Sequence, residues 1–451
     1  AGGLTMPKKN KIRIDCFIYT PHNSSSIERR GQILTAPTVT DTRPLADMPL
    51  FDTQTLKCPY HYDKTLRNTA PVYQDPDSGV FVISTYELIR EAHKNDAVFS
   101  NEFMLAKGSA EKLDADIDAA MKNTYNLGKG TLLTVDDPEH KIYRDTVKDF
   151  FLAKNIERYR PWVSELAEKL VSEIPDGQPY DFIKEFARPL PLSMIMHVLG
   201  IPLDMIDAAF KWTTANVTVL SQVSDKQGLL DAHVSVKEEY DWFVTALDAR
   251  RTNPQDDLLS LVAHAKFEDR PLTIEEQLGH CTQFLVAGNE TTTATLAEGI
   301  RQLCLNPEQE AAVRSDRSLI PNLVEETLRL ATPTSNMWRM TKQDHTIGGV
   351  EIPAGSMVLL KYFSSNHDEA MFDQPMAFDV TRANAKRHIA FGFGTHVCIG
   401  QHLSRLEMIV AWEKIFDGTS SMRLNCAPQD LDYMPNILLR GLENLPVIFE
   451  R

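Results

Sequence analysis

The sequence has no run of about 18 uninterrupted apolar residues, which excludes a membrane-spanning helix. Its most apolar stretch, 189–206, is interrupted by Pro191, His197, Pro202 and Asp204. Positive charge is also in deficit. Lys and Arg number 47 against 62 Asp and Glu in 451 residues, a formal charge of -15. Such a chain is repelled by nucleic acid and by anionic lipid. Cysteine is scarce, with six at the irregular positions 16, 58, 281, 304, 398 and 426. That spacing does not suggest a disulfide framework, and a reducing cytoplasm is the expected setting. Lys8, Lys9, Lys11 and Arg13 are followed by no sustained apolar core, so no secretory signal is expected. Residues 1–45 carry seven Lys/Arg against three Asp/Glu and read as a flexible basic extension. The rest, 46–451, shows no repeat, low-complexity tract or composition break, and is expected to form one domain.

What is present is mostly helical periodicity with short strand signals. Phe81–Ser84 alternates like a strand, and 350–355 with 358–363 read as strand, turn, strand. The longest helical signal starts at Ile274, after Thr273 and Glu276 spaced as a capping box, and ends near Leu305 before Asn306-Pro307. The expected class is mainly α with small β-sheets.

Four segments carry chemistry. In Phe391-Gly-Phe-Gly-Thr-His-Val-Cys-Ile-Gly400, three glycines within nine residues indicate unusual torsions or close approach. A helical pattern begins after Gly400, so Cys398 sits beside a helix N-terminus, where N–H groups and the dipole favour a thiolate. One thiolate on such a loop suits haem iron. Glu326-Thr-Leu-Arg329 puts a carboxylate in the apolar arc of its helix, where it requires a fixed cationic partner, with Arg382 as a third member. Ala287-Gly-Asn-Glu-Thr-Thr292 weakens the long helix at its centre and suggests a local opening beside an acid–alcohol pair. Taken alone, Gly288 reads equally well as a close-packing position. His140 and Arg144, at i and i+4, share a helix face that could grip a carboxylate pair.

Together and in this order, these segments closely resemble the cytochrome P-450 family of haem-thiolate monooxygenases, in its soluble bacterial type. Phe391-x-x-Gly394-x-x-x-Cys398-x-Gly400 is similar to the cysteine-ligand signature, and Glu326-x-x-Arg329 to the buried pair of the K helix. Ala287-Gly288-x-Glu290-Thr291 is similar to the oxygen-activating motif. His140-x-x-x-Arg144, Arg339 and His396 resemble contacts to the haem propionates. The resemblance runs from about residue 46 onward and includes Asn366-His-Asp368, Phe372 and Phe378-Asp379. His367 stands where this type often has Arg, and Glu290 is the longer of the acids used.

The resemblance implies a triangular helical prism enclosing haem b, with Cys398 as the iron ligand. Phe391, Gly392, Gly400, Ala287 and Gly288 are then expected against the cofactor, with Phe393 shielding the sulfur. Thr291 and Glu290 are implied as the catalytic pair that handles protons during dioxygen activation. No dinucleotide fingerprint is present, since Gly128-Lys-Gly130 and Gly392-Phe-Gly394 both lack the rest of it. Electrons from NAD(P)H are therefore expected through a separate ferredoxin and reductase, docking near Lys141, Lys148, Arg387 and Arg405. The implied reaction is hydroxylation or O-dealkylation of a small, partly apolar substrate by a monomeric enzyme. The expected pocket wall uses segments near 103–105, 220–223, 283–291, 335–338 and 435–438. Within it stand Phe103, Leu105, Met337, Trp338, Asn436 and Ile437, with Ser335 and Asn336 for a polar handle. A peroxide-driven peroxygenase is the nearest other reading, disfavoured by the retained Glu290-Thr291 pair. A haem-based sensor needs an output domain that the sequence does not suggest. Zinc at Cys58-x-x-His61 or His396-x-Cys398 has no second pair at ligand spacing.

Overall fold

A computed structural model describes residues 43–103, 116–117, 119–120, 131–221 and 225–451. The basic head, apart from residues 43–45, and Leu105 lie outside the described residues. Helices dominate. Those that frame the site are α1 (Tyr86–His93), α2 (Glu139–Val147), α3 (Pro189–Leu199), α4 (Ile206–Ser221) and α5 (Lys226–Thr252). They are followed by α6 (Ile274–Leu305), α7 (Ile320–Ala331) and α8 (Gln401–Gly418).

The strands are short. β1 (Val72–Gln74), β2 (Phe81–Ile83), β3 (Phe99–Ser100), β5 (Met337–Thr341) and β6 (Met357–Leu360) form one sheet in the order β1-β2-β6-β5-β3. β6 runs parallel to β2, with Val358 opposite Phe81, and antiparallel to β5. A second sheet joins β4 (Pro179–Asp181), β7 (Ser421–Leu424) and β8 (Pro446–Glu450), with β8 in the middle. Side chains alternate across the first sheet. Val358 and Leu360 enter one apolar cluster with Tyr362 and Phe372, while Leu359, Val82 and Trp338 enter another with Phe103 and Ile437.

The capping box at α6 forms in both directions: Thr273 Oγ1 accepts from Glu276 N, and Glu276 Oε2 from Thr273 N. The expected opening near Gly288 is not a break, because α6 is helical without interruption. Gly288 answers to packing: a Cβ there would stand 2.9 Å from Ile195 Cγ1 of α3.

α7 is buried at Ile320 and at every position from Leu323 to Ala331. Glu326 accepts two 2.8 Å bonds from Arg329, one of 3.0 Å from Arg382 Nε and one of 3.1 Å from Asp379 N. Arg329 also donates to the carbonyls of Asn366, Pro375 and Ala377. A fully enclosed carboxylate is thus met by two guanidinium groups that bind the following loops to α7. Four cysteines, 281, 304, 398 and 426, are free, but Cys58 is disulfide-bonded, which corrects its reading as a packing thiol.

Candidate active site

The cysteine loop is shaped by its glycines. Gly392 and Gly394 hold φ of 72° and 74°, in the left-handed region that a side chain disfavours. The turn returns Cys398 N to the Phe391 carbonyl at 2.8 Å and delivers Cys398 to the start of α8. Burial raises the Cys398 thiol above its ordinary range, against the N–H groups of Gly400 and Gln401 and the charges of Arg144 and Arg405. The expected thiolate preference is therefore not a property of the polypeptide alone. A coordinated metal ion would supply the missing positive charge, since a ligating thiol loses its proton.

Cys398 opens onto a cavity of about 310 Å³. Phe391, Gly392, His396 and Gly400 line it on the cysteine side. Ala287, Gly288, Glu290 and Thr291 line it from α6. Thr291 Oγ1 donates to the Ala287 carbonyl at 3.0 Å, a bond back along its own helix. Burial raises the Glu290 carboxyl, opposed by Arg188. Phe393 joins the apolar cluster beneath the first sheet, with the Arg90 guanidinium 4.6 Å from its ring.

Basic side chains gather at one end of the cavity, where Arg144 and Arg339 both line it. Arg144 Nη2 donates to the Val397 carbonyl at 2.8 Å. The His140 ring lies against that of His396, with centroids 3.9 Å apart and a tilt of 36°, and its Nδ1 lies 3.3 Å from Asp137 Oδ1. Burial, then His140 and Arg339, lower His396 to about 3.

Of the expected pocket residues, Met337 and Asn436 line the cavity. Trp338 does not, because strand alternation along β5 sends Met337 and Arg339 one way and Trp338 the other. Phe103 and Ile437 share the cluster with Trp338. Ser335 Oγ donates to the Leu438 carbonyl and Asn336 Nδ2 to that of Ile437, so neither presents a polar handle to the cavity. Three other residues of its lining carry a buried polar atom without a partner: Asn101 at Nδ2, Gln283 at Oε1 and Glu407 at Oε2. Gln283 fell within the expected wall, whereas Asn101 carried no signal in sequence.

The family description cytochrome P-450 matches residues 231–417. A steroid C26-monooxygenase of Mycobacterium tuberculosis is 31% identical over 408 residues, 90% of this chain and 96% of that protein. The cyclomarin C epoxidase CymV of Salinispora arenicola is 32% identical over 392 residues, 86% of this chain and 94% of its own. The structure of CYP109Q5 from Chondromyces apiculatus superposes with a TM-score of 0.78 at 28% identity, over 90% of this chain and 99% of that one. The chain belongs to the cytochrome P-450 family.

Membership makes it a haem-thiolate monooxygenase, and the family implies haem b and dioxygen. The residues of this P-450 fit that cofactor. His140 Nε2 and Asn101 Nδ2 are buried without partners at the basic end. Gly400 has φ -80°, and a Cβ there would touch only Cys398 Sγ, at 3.9 Å, leaving a cradle open on the cavity side. Cys58, the first residue of the Cys58-x-x-His61 pair, is disulfide-bonded and so is not a free thiol.

Proposed function

We propose that this P-450 inserts one atom of dioxygen into a neutral, mainly apolar small molecule bearing one polar group, using electrons from a separate ferredoxin-type protein. The observation that carries this reading is one cavity lined both by Cys398 and by Ala287, Gly288, Glu290 and Thr291 of α6. Cys398 is assigned as the iron ligand. Arg144, Arg339, His140 and His396 are assigned to the carboxylates of the haem, which supplies the redox chemistry of dioxygen cleavage when bound. Thr291 spends its proton on Ala287, so its oxygen accepts a hydrogen bond from water in the cavity and orients that water. Glu290 holds its proton to higher pH than an ordinary carboxyl and supplies it beside Thr291.

The cavity lining also includes Val217, Leu220, Val286, Met337 and Leu438, and among the described residues no cation other than Arg144 and Arg339 lines it. Gln283 interrupts this apolar surface. Its buried Oε1 has no partner, and a turn of the amide toward the cavity would offer it to a hydroxyl or N–H on the substrate, relieving a cost of about 1–3 kcal/mol. The docking surface loses Arg405, whose guanidinium is bound bidentately by Glu325. Lys141 and Lys148 share Asp145, which leaves Arg387 and Lys386 exposed without an ion pair among the described residues. No helix of the described residues is long and apolar enough to cross a membrane.

Turnover with ferredoxin, reductase and isotopically labelled dioxygen tests the reaction. One labelled oxygen atom in the product supports it, and label arriving instead from added peroxide supports a peroxide-driven enzyme. Gln283→Leu tests the polar group. Titrating the Soret band with a monoterpene alcohol and with its parent hydrocarbon should show the alcohol's advantage falling about 10-fold in the variant. An unchanged ratio removes Gln283 from specificity.

A further inference from the structure

His93 ends α1 against the cysteine loop. Gly394 permits that approach: a Cβ there would stand 2.7 Å from the His93 carbonyl oxygen. The imidazole is 4% exposed, and its ring lies 5.3 Å from that of Tyr362. Arg339 Nη2 donates to His93 Nδ1 at 3.4 Å. A guanidinium only donates, so Nδ1 is the unprotonated nitrogen and the ring proton sits on Nε2. Burial, with Arg339 and His396 adding repulsion, keeps this ring neutral.

Arg339 is 3% exposed and lines the cavity. Its Nη1 donates to the Trp338 carbonyl at 2.7 Å. The protein partners of this guanidinium, the Tyr362 hydroxyl included, are thus neutral, and no carboxylate of the described residues pairs with it. A buried guanidinium without an anion is costly unless a ligand provides one. The residue behind it is chemically constrained. Leucine would leave an N–H of Arg339 unmet, a cation would repel it, and a carboxylate would neutralise it and compete with an anionic ligand. A neutral acceptor avoids all three.

We infer that His93 is a positioning residue: its Nδ1 fixes the Arg339 guanidinium so that the remaining N–H groups meet a carboxylate of the haem. This rests on the haem-binding reading above. Three variants separate the contributions, with haem transfer to apomyoglobin and the propionate bending band in the resonance Raman spectrum as readouts. His93→Leu should lose haem about 10-fold faster and shift the band, a typical loss for a group that orients a ligand. His93→Asn retains an acceptor near the Nδ1 position and should stay within about 3-fold of the parent. His93→Glu should do worse than Leu, because it competes for Arg339.

In an Arg339→Leu background, His93→Leu should add almost nothing. A full additional loss in that background would show that His93 acts by packing alone and overturn the inference. So would an unmoved Raman band with parental haem retention in His93→Leu. A parent protein that binds no haem would instead overturn the cofactor reading. The thiolate band of the reduced carbonyl complex verifies that each variant is loaded and folded.

Discussion

At Cys398, replacement by Ser should abolish the red-shifted Soret band that marks thiolate ligation in the reduced carbonyl complex. A band that survives would place the ligand elsewhere. Thr291→Ala should leave that band intact but lower product formed per NAD(P)H and raise peroxide, because nothing then orients water beside Glu290. Product yield at the parental ratio would remove Thr291 from proton handling. The cysteine loop was legible because backbone demands appear as glycines: positive φ at Gly392 and Gly394 cannot be met cheaply otherwise. Side-chain direction was not legible. Trp338 and Met337 are adjacent in sequence, and only the pairing of β5 with β6 decides which one faces the cavity. Arg405 read as an exposed cation until the fold brought Glu325 to it. His93, a single histidine on a short helix, gains meaning only from Arg339, which arrives from β5.

Among the elements, α6 was the most legible, since its capping box and Asn306-Pro307 are local signals. Its central weakness was less so. The same small residues fit an opened helix or a tight crossing, and Ile195 of α3 decides for the crossing. Gly288→Ala should therefore cost about 1–3 kcal/mol by overpacking. Ile195→Ala should recover part of that loss in the double variant, as chemical denaturation of the haem-loaded protein can show. Strict additivity would point to the cavity side instead. On α7, Arg329→Ala should destabilise by about 3–5 kcal/mol, because it strips a fully buried carboxylate of its bidentate partner. Removing both Glu326 and Arg329 with apolar replacements should cost less than removing Arg329 alone.

For the whole molecule, one source of pH dependence lies at a seam between helices. Glu239 of α5 is buried, accepts from Asn216 Nδ2 of α4 at 2.5 Å, and faces Thr282 of α6. Burial raises its carboxyl from 4.5 to about 7. The folded state then binds a proton that the unfolded chain has already released, so stability falls as pH climbs from about 4.5 to about 7. The loss is complete above that window and amounts to about 3 kcal/mol. Glu239→Gln should flatten this limb in unfolding midpoints measured across the window; an unchanged slope would exclude the group. Glu325 behaves oppositely. Burial alone would raise it, but His388 and Arg405 outweigh that and lower it to about 2, so its contribution is lost as pH falls from about 4.5 toward 2.

The parallel pairing of β2 with β6 reaches beyond equilibrium. Phe81 leaves the ribosome early, whereas Val358, its partner, emerges only after more than half of the chain has followed. Until then β2 has only the hairpin with β1, and two short strands are at best marginally stable in water. The apolar residues Phe81, Val82 and Ile83 therefore stay without their second neighbour for most of synthesis, a hazard for association between nascent chains. Slower elongation ahead of Met357 lengthens that interval, and chaperones that shield extended apolar segments should raise the yield of soluble protein.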